Sequence, residues 1–493
     1  MRLLTHLTTA ISIPSLFTTM SSPPFCPRES HPPIEAIQFD YDLCANLHNQ
    51  IFKIGWLASA PGRTPESAPS QTWWEYFAPP PDFANRLNDD LVQFLQRAYF
   101  HTDAPEFFYF LSGLNYPKNL LDDGWIRDRG DDRYALLYRA TGFKMGDEMG
   151  VIFDQHTNKA AFVADFEDMT PILDYGYGWK PLEDIFQAYL EMREEGKVEV
   201  SSPDGTWKRE SSSDSIGPWL WHDYTDVDVK KSALAFKRLI DAIEARISSG
   251  QTASSDSAQD RGTFALPWAD LSALDAAHIL PGTFARAFCE ETAKFTISFR
   301  YIAPGIRIAT VDELIAQPHH EGYSQKPWYA TNSMRDMPVL LFRADDPTLA
   351  SNDAVPERGT WLYNDGQSIP AGVYTNTAGG MNQVFQNGCR LILPFTFGSN
   401  GWARLSDLEV FGMSPLDDNA NPADVNWDLY QPGYNGFGPL HSVQLHKVLI
   451  NWAERVESGD WEVTEHGVGG GLDIFREADT EHGWKKYWIP LTW

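Results

Sequence analysis

Four tryptophans, Trp461, Trp484, Trp488 and Trp493, crowd the stretch from Gly459 to Trp493. They alternate with the glycines Gly467, Gly469, Gly470 and Gly471, with FREADT (475–480) and with KKYWIPLTW (485–493). Solvated tails are poor in aromatics because nothing offsets the entropy of ordering them, so this stretch is expected to dock into the fold, with the glycine run as its hinge. Any architecture for the chain must bury that block.

The chain of 493 residues is long enough for more than one core. It carries 67 Asp plus Glu against 39 Lys plus Arg, a net charge of −28, and 13% of it is aromatic. Such a field repels phosphates, so duplex nucleic acid and anionic membrane are disfavoured as partners and a cationic small molecule is favoured. No apolar run is long enough to span a bilayer. Cys26, Cys44, Cys289 and Cys389 are scattered, with no CxxC and no metal-ligand spacing. With no N-x-S/T sequon either, a cytoplasmic location is expected, ahead of an organellar one and with secretion disfavoured. The oligomeric state is not legible.

Residues 1–28 read as a tail, acid-free and broken by His6 and Pro14. From Arg133 to Phe166 the apolar period is two, in RYALLYRA, MGVIFD and KAAFVADF, which predicts an antiparallel meander. PLEDIFQAYLEMREEGK and VKKSALAFKRLIDAIEARI follow at helical spacing. The polar segment 248–262 reads as a linker between an α+β domain over 29–247 and a second over 263–493. Strands are expected there in TISFRYIA, MPVLLFRA, GTWLYNDG, IPAGVYT and CRLILPF. Asn387-Gly388 reads as a hairpin turn, and Leu445, Val448, Leu449, Trp452 and Val456 as a helix face. The fold class is α+β, with antiparallel sheets partly covered by helices.

Two clusters could carry chemistry. In LDDGWIRDRGDDRY, Asp122, Asp123 and Asp128 are candidate acid/base or cation-binding groups, with Trp125 as a platform. The interleaved arginines equally allow a solvated ion-pair network. In PWLWHDYTDVD, Trp221, His222 and Asp223 are candidate substrate-binding residues, since an indole face beside a carboxylate favours an ammonium or guanidinium. There Asp226 or Asp228 also suits a helix cap, and the rings also suit a core. His101-Thr102-Asp103 spells H-x-D without a second histidine nearby, and His319-His320 and the pair His441 and His446 lack ligand spacing. HGVGGGLDIF lacks the Lys-Ser/Thr of a phosphate loop, and no metal or cofactor signature is present.

GDWEV (459–463), the glycine run, FREADT, Tyr487, Ile489, Pro490 and Trp493 resemble the closing block of a fungal protein family that has no assigned function. The resemblance extends through LNYPKNLLDDGWIRDRGDDRY, GKVEV and CRLILPF, hence over most of the chain. It implies a fungal source and a soluble protein, with no cofactor-binding signature. One expectation is an enzyme of fungal specialised metabolism acting on a guanidinium or amine substrate, such as aminoacyl or amide transfer in arginine-containing cyclodipeptide synthesis. The D-D-x-x-E motif of that class is not met at Asp89, Asp122, Asp131, Asp345 or Asp417. The alternative is a non-catalytic intracellular scaffold, loosely like the regulators of fungal cell-wall synthesis.

Overall fold

The structure is a computed structural model that describes residues 35–60, 62–102, 107–121, 126, 132–141, 148–165, 169–174, 176–200, 213–249, 263–320, 337–345, 370–377, 385–411, 427–438, 441–491 and 493. Its class is α+β, as the sequence predicts. Helix α1 (Tyr41–Ala58) starts at Asp40, whose carboxylate accepts from Leu43 N, and α2 (Asp89–Leu95) is capped by Asn88 in the same way. The predicted meander is present as β2 (Tyr134–Ala140), β3 (Glu148–Asp154) and β4 (Lys159–Asp165), all antiparallel. A fourth strand, β1 (Leu111–Leu114), adds to its edge beside β2. Helix α3 (Leu182–Glu194) covers the sheet through Ile185, Phe186 and Tyr189, all fully buried. A small sheet follows in the order β5 (Val198–Val200), β7 (Trp219–His222), β6 (Ser213–Ile216).

Helix α4 (Asp226–Ser249) opens the second core. Its first turn is a capping box in which Thr225 Oγ1 accepts from Asp228 N at 3.2 Å and Asp228 Oδ2 accepts from Thr225 N at 2.8 Å. Asp228 thus caps from the third helical position, with Thr225 as the N-cap. The buried face of α4, including Phe236, Leu239, Ile240 and Ile243, belongs to the core formed with residues between Leu266 and Ile489. Its last residues, Ser248 and Ser249, are helical, and the rest of the expected linker lies outside the described residues.

The strands and longer helices that follow are β8 (Phe264–Ala265), α5 (Phe284–Thr292), β9 (Thr296–Ile297), β10 (Tyr301–Ala303), β11 (Ile306–Ile308), β12 (Val339–Ala344), β13 (Gly372–Thr375), β14 (Cys389–Ile392), α6 (Leu445–Ser458), β15 (Val463–Thr464) and β16 (Gly467–Val468). Seven of these strands form one sheet in the order β14-β13-β12-β11-β10-β16-β15. TISFRYIA, read as one strand, divides into β9 and β10, which lie in different sheets. GTWLYNDG lies outside the described residues. Asn387-Gly388 does not close a tight hairpin, because β13 ends at Thr375 and the Asn387 side chain is drawn inward to Asp228.

The C-terminal block is docked. Gly459 ends α6 at φ 82°, Trp461 is 2% exposed and Trp493 is 8% exposed, while Trp484 and Trp488 are half-buried. Gly467 pairs in parallel with Tyr301, and a Cβ there would lie 2.3 Å from Tyr301 O. Asp479 of FREADT, 4% exposed, accepts four backbone N–H bonds, from Gly398 at 2.9, Asn400 at 3.0, Trp402 at 2.9 and Ala403 at 2.9 Å.

The meander and the second core meet at Gly178 and Gly436, where a Cβ on Gly436 would lie 2.2 Å from Gly178 O. Tyr177 stacks on Tyr434 at 5.6 Å, and Lys180 Nζ lies 4.5 Å from the Phe437 ring centre. Beneath them sit two carboxyls, the buried Glu409 and the half-buried Asp407, which accepts from Tyr434 N at 2.7 Å. Burial and then the Asp407 charge push Glu409 up to about 8, against a hydrogen bond from Tyr177, and burial pushes Asp407 up to about 6. The unfolded chain releases the Glu409 proton near its ordinary value of 4.5. Between those two pH values the folded state holds more protons, so stability falls as pH rises, by up to about 1.4 kcal/mol per pH unit. Glu409→Gln is therefore expected to melt above the parent at pH 8, with the gap closing toward pH 4.5. A gap independent of pH in a thermal-melt series would show that Glu409 is ionised in the native state.

Candidate functional site

Asp122, Asp123, Trp125 and Asp128 lie outside the described residues. At the end of that segment, Asp132 pairs with Arg86 at 2.7 Å and Arg133 with Asp154 at 2.8 Å. The second predicted cluster is divided by the strand that carries it. Residues of β7 alternate inward and outward, so Trp219 and Trp221 enter the core while His222 faces out, with Nε2 3.3 Å from Glu199. Trp221 is 1% exposed, stacks on Tyr109 at 5.3 Å and meets Phe385 edge-on at 4.5 Å. Asp223 is turned toward Gln386, whose Nε2 donates to its Oδ2 at 3.4 Å.

A cation does sit beside Trp221, and it belongs to the chain. Lys197, in the turn between α3 and β5, is fully buried, with Nζ 4.8 Å from the Phe385 ring centre and 6.0 Å from that of Trp221. Its three N–H donors match three acceptors: Asp228 Oδ2 at 2.9, Asp223 O at 2.9 and Asn387 Oδ1 at 3.2 Å. Asn387 Nδ2 donates to the other Asp228 oxygen at 3.0 Å. Burial pulls the Lys197 ammonium below the usual lysine value, and Asp228, Asp223 and Glu195 oppose that pull. His441 stacks on Phe385 at 3.7 Å. It is held neutral by burial and by Lys197, and among the described residues its Nε2 has no partner.

Beside this network lies a cleft of about 350 Å³. One wall is a single face of α3, where Asp184, Gln187, Ala188, Glu191 and then Glu195 recur at helical spacing opposite the buried Ile185, Phe186 and Tyr189. The other wall holds Lys231 of α4 and the first turn of α6, His446 and Lys447, preceded by Gln444. Phe437, Leu491 and Trp493 supply the apolar surface. Trp493 Nε1 donates to Glu191 Oε2 at 3.1 Å, and Gln444 Nε2 donates to Trp493 O at 3.2 Å. Lys231 Nζ is 2.6 Å from Glu195 Oε1.

Lys447 is half-buried, and among the described residues its Nζ has no hydrogen bond or ion pair. Burial and then the Lys231 charge push it down to about 8, against the attraction of Glu195. At neutral pH about a tenth of such an amine is uncharged. His446 is pushed down to about 4 by burial, Lys447 and Lys231, and among the described residues its buried Nδ1 has no partner. Sequence reading singled out neither lysine. The recurrence of acids on α3 was a visible signal for one wall, whereas nothing in GKVEV marks Lys197 as buried.

Among the described residues, no three His, Cys, Asp or Glu side chains are placed to hold a metal ion, and no helix is long and apolar enough to cross a membrane. Cys44, Cys289 and Cys389 are buried free thiols. No family model matches the chain, and neither a curated protein nor a solved structure is significantly similar to it.

Proposed function

We propose that the cleft is the substrate site of an enzyme of fungal specialised metabolism, and that it takes an amino-acid-like molecule with a guanidinium or amine side chain. The carrying observation is that Lys447 and His446 line a space of ligand size together with the carboxylates of α3, and that among the described residues neither the Lys447 amine nor the buried His446 Nδ1 has a partner. A substrate cation pairs with Asp184 and Glu191. Its carboxylate is drawn to Lys447, Lys231 and the positive end of the α6 dipole. Asp184 is raised by burial against the pull of Lys180, so it gains from a second cation. Trp221 and Asp223 act behind this site, by holding Lys197 in place. Aminoacyl or amide transfer stays the reaction class of this proposal, and the free buried thiols support a cytoplasmic setting.

Calorimetric titration with arginine and with agmatine, which lacks the carboxylate, tests the reading. Arginine at about a hundred times its dissociation constant is expected to add about 2.7 kcal/mol of stability. Lys447→Met should weaken arginine at least about tenfold and leave agmatine unchanged, the loss of a charge-assisted contact. Absence of arginine binding, or equal affinity in the variant, overturns it.

The scaffold reading is favoured by a separate observation. Tyr76 (39% exposed) and Tyr116 (47% exposed) flank Phe77 at 4.9 and 5.4 Å between ring centres, forming an aromatic surface that is no part of the cleft lining. Loss of a captured partner in a Tyr76→Ala, Tyr116→Ala variant that still binds arginine would assign that surface a role of its own.

A further inference from the structure

We propose that Lys447 is a nucleophilic lysine that condenses with the carbonyl carbon of a 2-oxo acid held in the cleft. The proposal rests on the reading of the cleft as a site for a small carboxylate-bearing molecule, and it goes further by naming a reacting atom and a second ligand class.

Geometry comes first. Most surface lysines wave in solvent or pair with an acid, as Lys231 does with Glu195 at 2.6 Å. Lys447 does neither: it is half-buried in the first turn of α6, it lines the cleft, and its amine has no partner among the described residues. The charged and titratable groups around it come from three directions. They are Lys231 on α4, Glu195 at the end of α3, and His446 and His441 from its own segment. The positive neighbour and the burial both favour the uncharged amine, which is the form that attacks a carbonyl. Both histidines are kept neutral by burial, so neither adds a charge near pH 7.

A 2-oxo acid fits this arrangement by its chemistry. Its carboxylate is drawn to Lys231 and the positive end of α6, which places the adjacent carbonyl carbon toward Lys447. The amine nitrogen forms a bond to that carbon, giving a carbinolamine. The oxygen then departs as water, carrying the two protons of the neutral amine, and a carbon–nitrogen double bond remains. One proton enters as the imine is protonated, and the hydrogen-bonded pair Lys231 and Glu195 stands at the site to relay it. No oxidant or reductant is consumed.

Reductive trapping tests the step on the full chain. The protein is incubated with glyoxylate and sodium cyanoborohydride between pH 6 and pH 9, and the labelled lysines are mapped by peptide mass spectrometry. Labelling at Lys447 is expected to exceed that at any other lysine at least about tenfold and to rise through pH 8. Excess arginine should slow it, and Lys447→Arg should abolish it without changing the urea midpoint. Lys231→Met should move the pH profile of labelling upward, because the repulsion that favours the neutral amine is gone. A residue that merely packs would leave that profile where it is. Label spread over lysines in proportion to their exposure overturns the proposal. If arginine still binds calorimetrically while Lys447 stays unlabelled, the nucleophile falls and the cleft reading stands. If both fail, both fall.

Discussion

Replacing Asp479 with alanine is expected to destabilise the protein by about 3–5 kcal/mol, the cost of leaving buried backbone donors without an acceptor. Among the described residues the carboxylate is the one acceptor for the N–H groups of Gly398, Asn400, Trp402 and Ala403, two on each oxygen. Asn400 is exposed and its N–H can turn to water, whereas Gly398 and Ala403 are buried and have no such recourse. Asparagine should recover only part of the loss, since its amide nitrogen would face two donors where an oxygen faces them now. The loop from 398 to 403 is also what Asp479 uses to anchor the C-terminal block. The variant should therefore expose Trp461 and Phe475 early, seen as a red-shifted tryptophan emission below the main transition. Urea unfolding that places Asp479→Ala within 1 kcal/mol of the parent would mean that these N–H groups are hydrated without the carboxylate.

Lys197→Met is expected to cost a similar amount, about 3–5 kcal/mol, because it strands the Asp228 charge in a fully buried site. The cost is not the worth of the pair, as a second substitution makes plain. Lys197→Met combined with Asp228→Asn removes both charges and keeps an acceptor for the Thr225 cap, so the double variant should be more stable than Lys197→Met alone. Equal stabilities for single and double variants would show that leaving Asp228 without its ammonium carries no penalty. Since Asn387, Asp223 and Asp228 all meet the same ammonium, the single variant should also loosen the floor behind the cleft. Arginine affinity should drop even though Lys197 does not line that space.

Much of the first half was legible because its elements are long and periodic. Alternation in RYALLYRA, MGVIFD and KAAFVADF gives β2 to β4, and the stripe of Ile185, Phe186 and Tyr189 gives α3. Helix α6 was legible from Leu445 to Val456 for the same reason. What local pattern does not carry is which distant segment completes an element. Strand β1 is four residues long and is recruited by β2, and the split of TISFRYIA follows from pairing with two different sheets. The candidate site divides along the same line. The alternation of β7 is visible in WLWH and separates Trp221 from His222, yet composition alone groups them. The lysines at 197 and 447 acquire their character from residues far away in the chain, Asp228 and Asn387 for one and Lys231 for the other.

The parallel pairing of β10 with β16 has a consequence for how the chain is made. Tyr301 leaves the ribosome about 170 residues ahead of Gly467, its partner in the sheet, which at ~5–20 residues per second is a delay of roughly 10–30 s. Throughout that interval one side of β10 is a bare edge of unpaired backbone groups next to an apolar hairpin. The nascent polypeptide is thus at its most adhesive during synthesis of its second half, and the glycine-rich hairpin that arrives last is what removes the hazard.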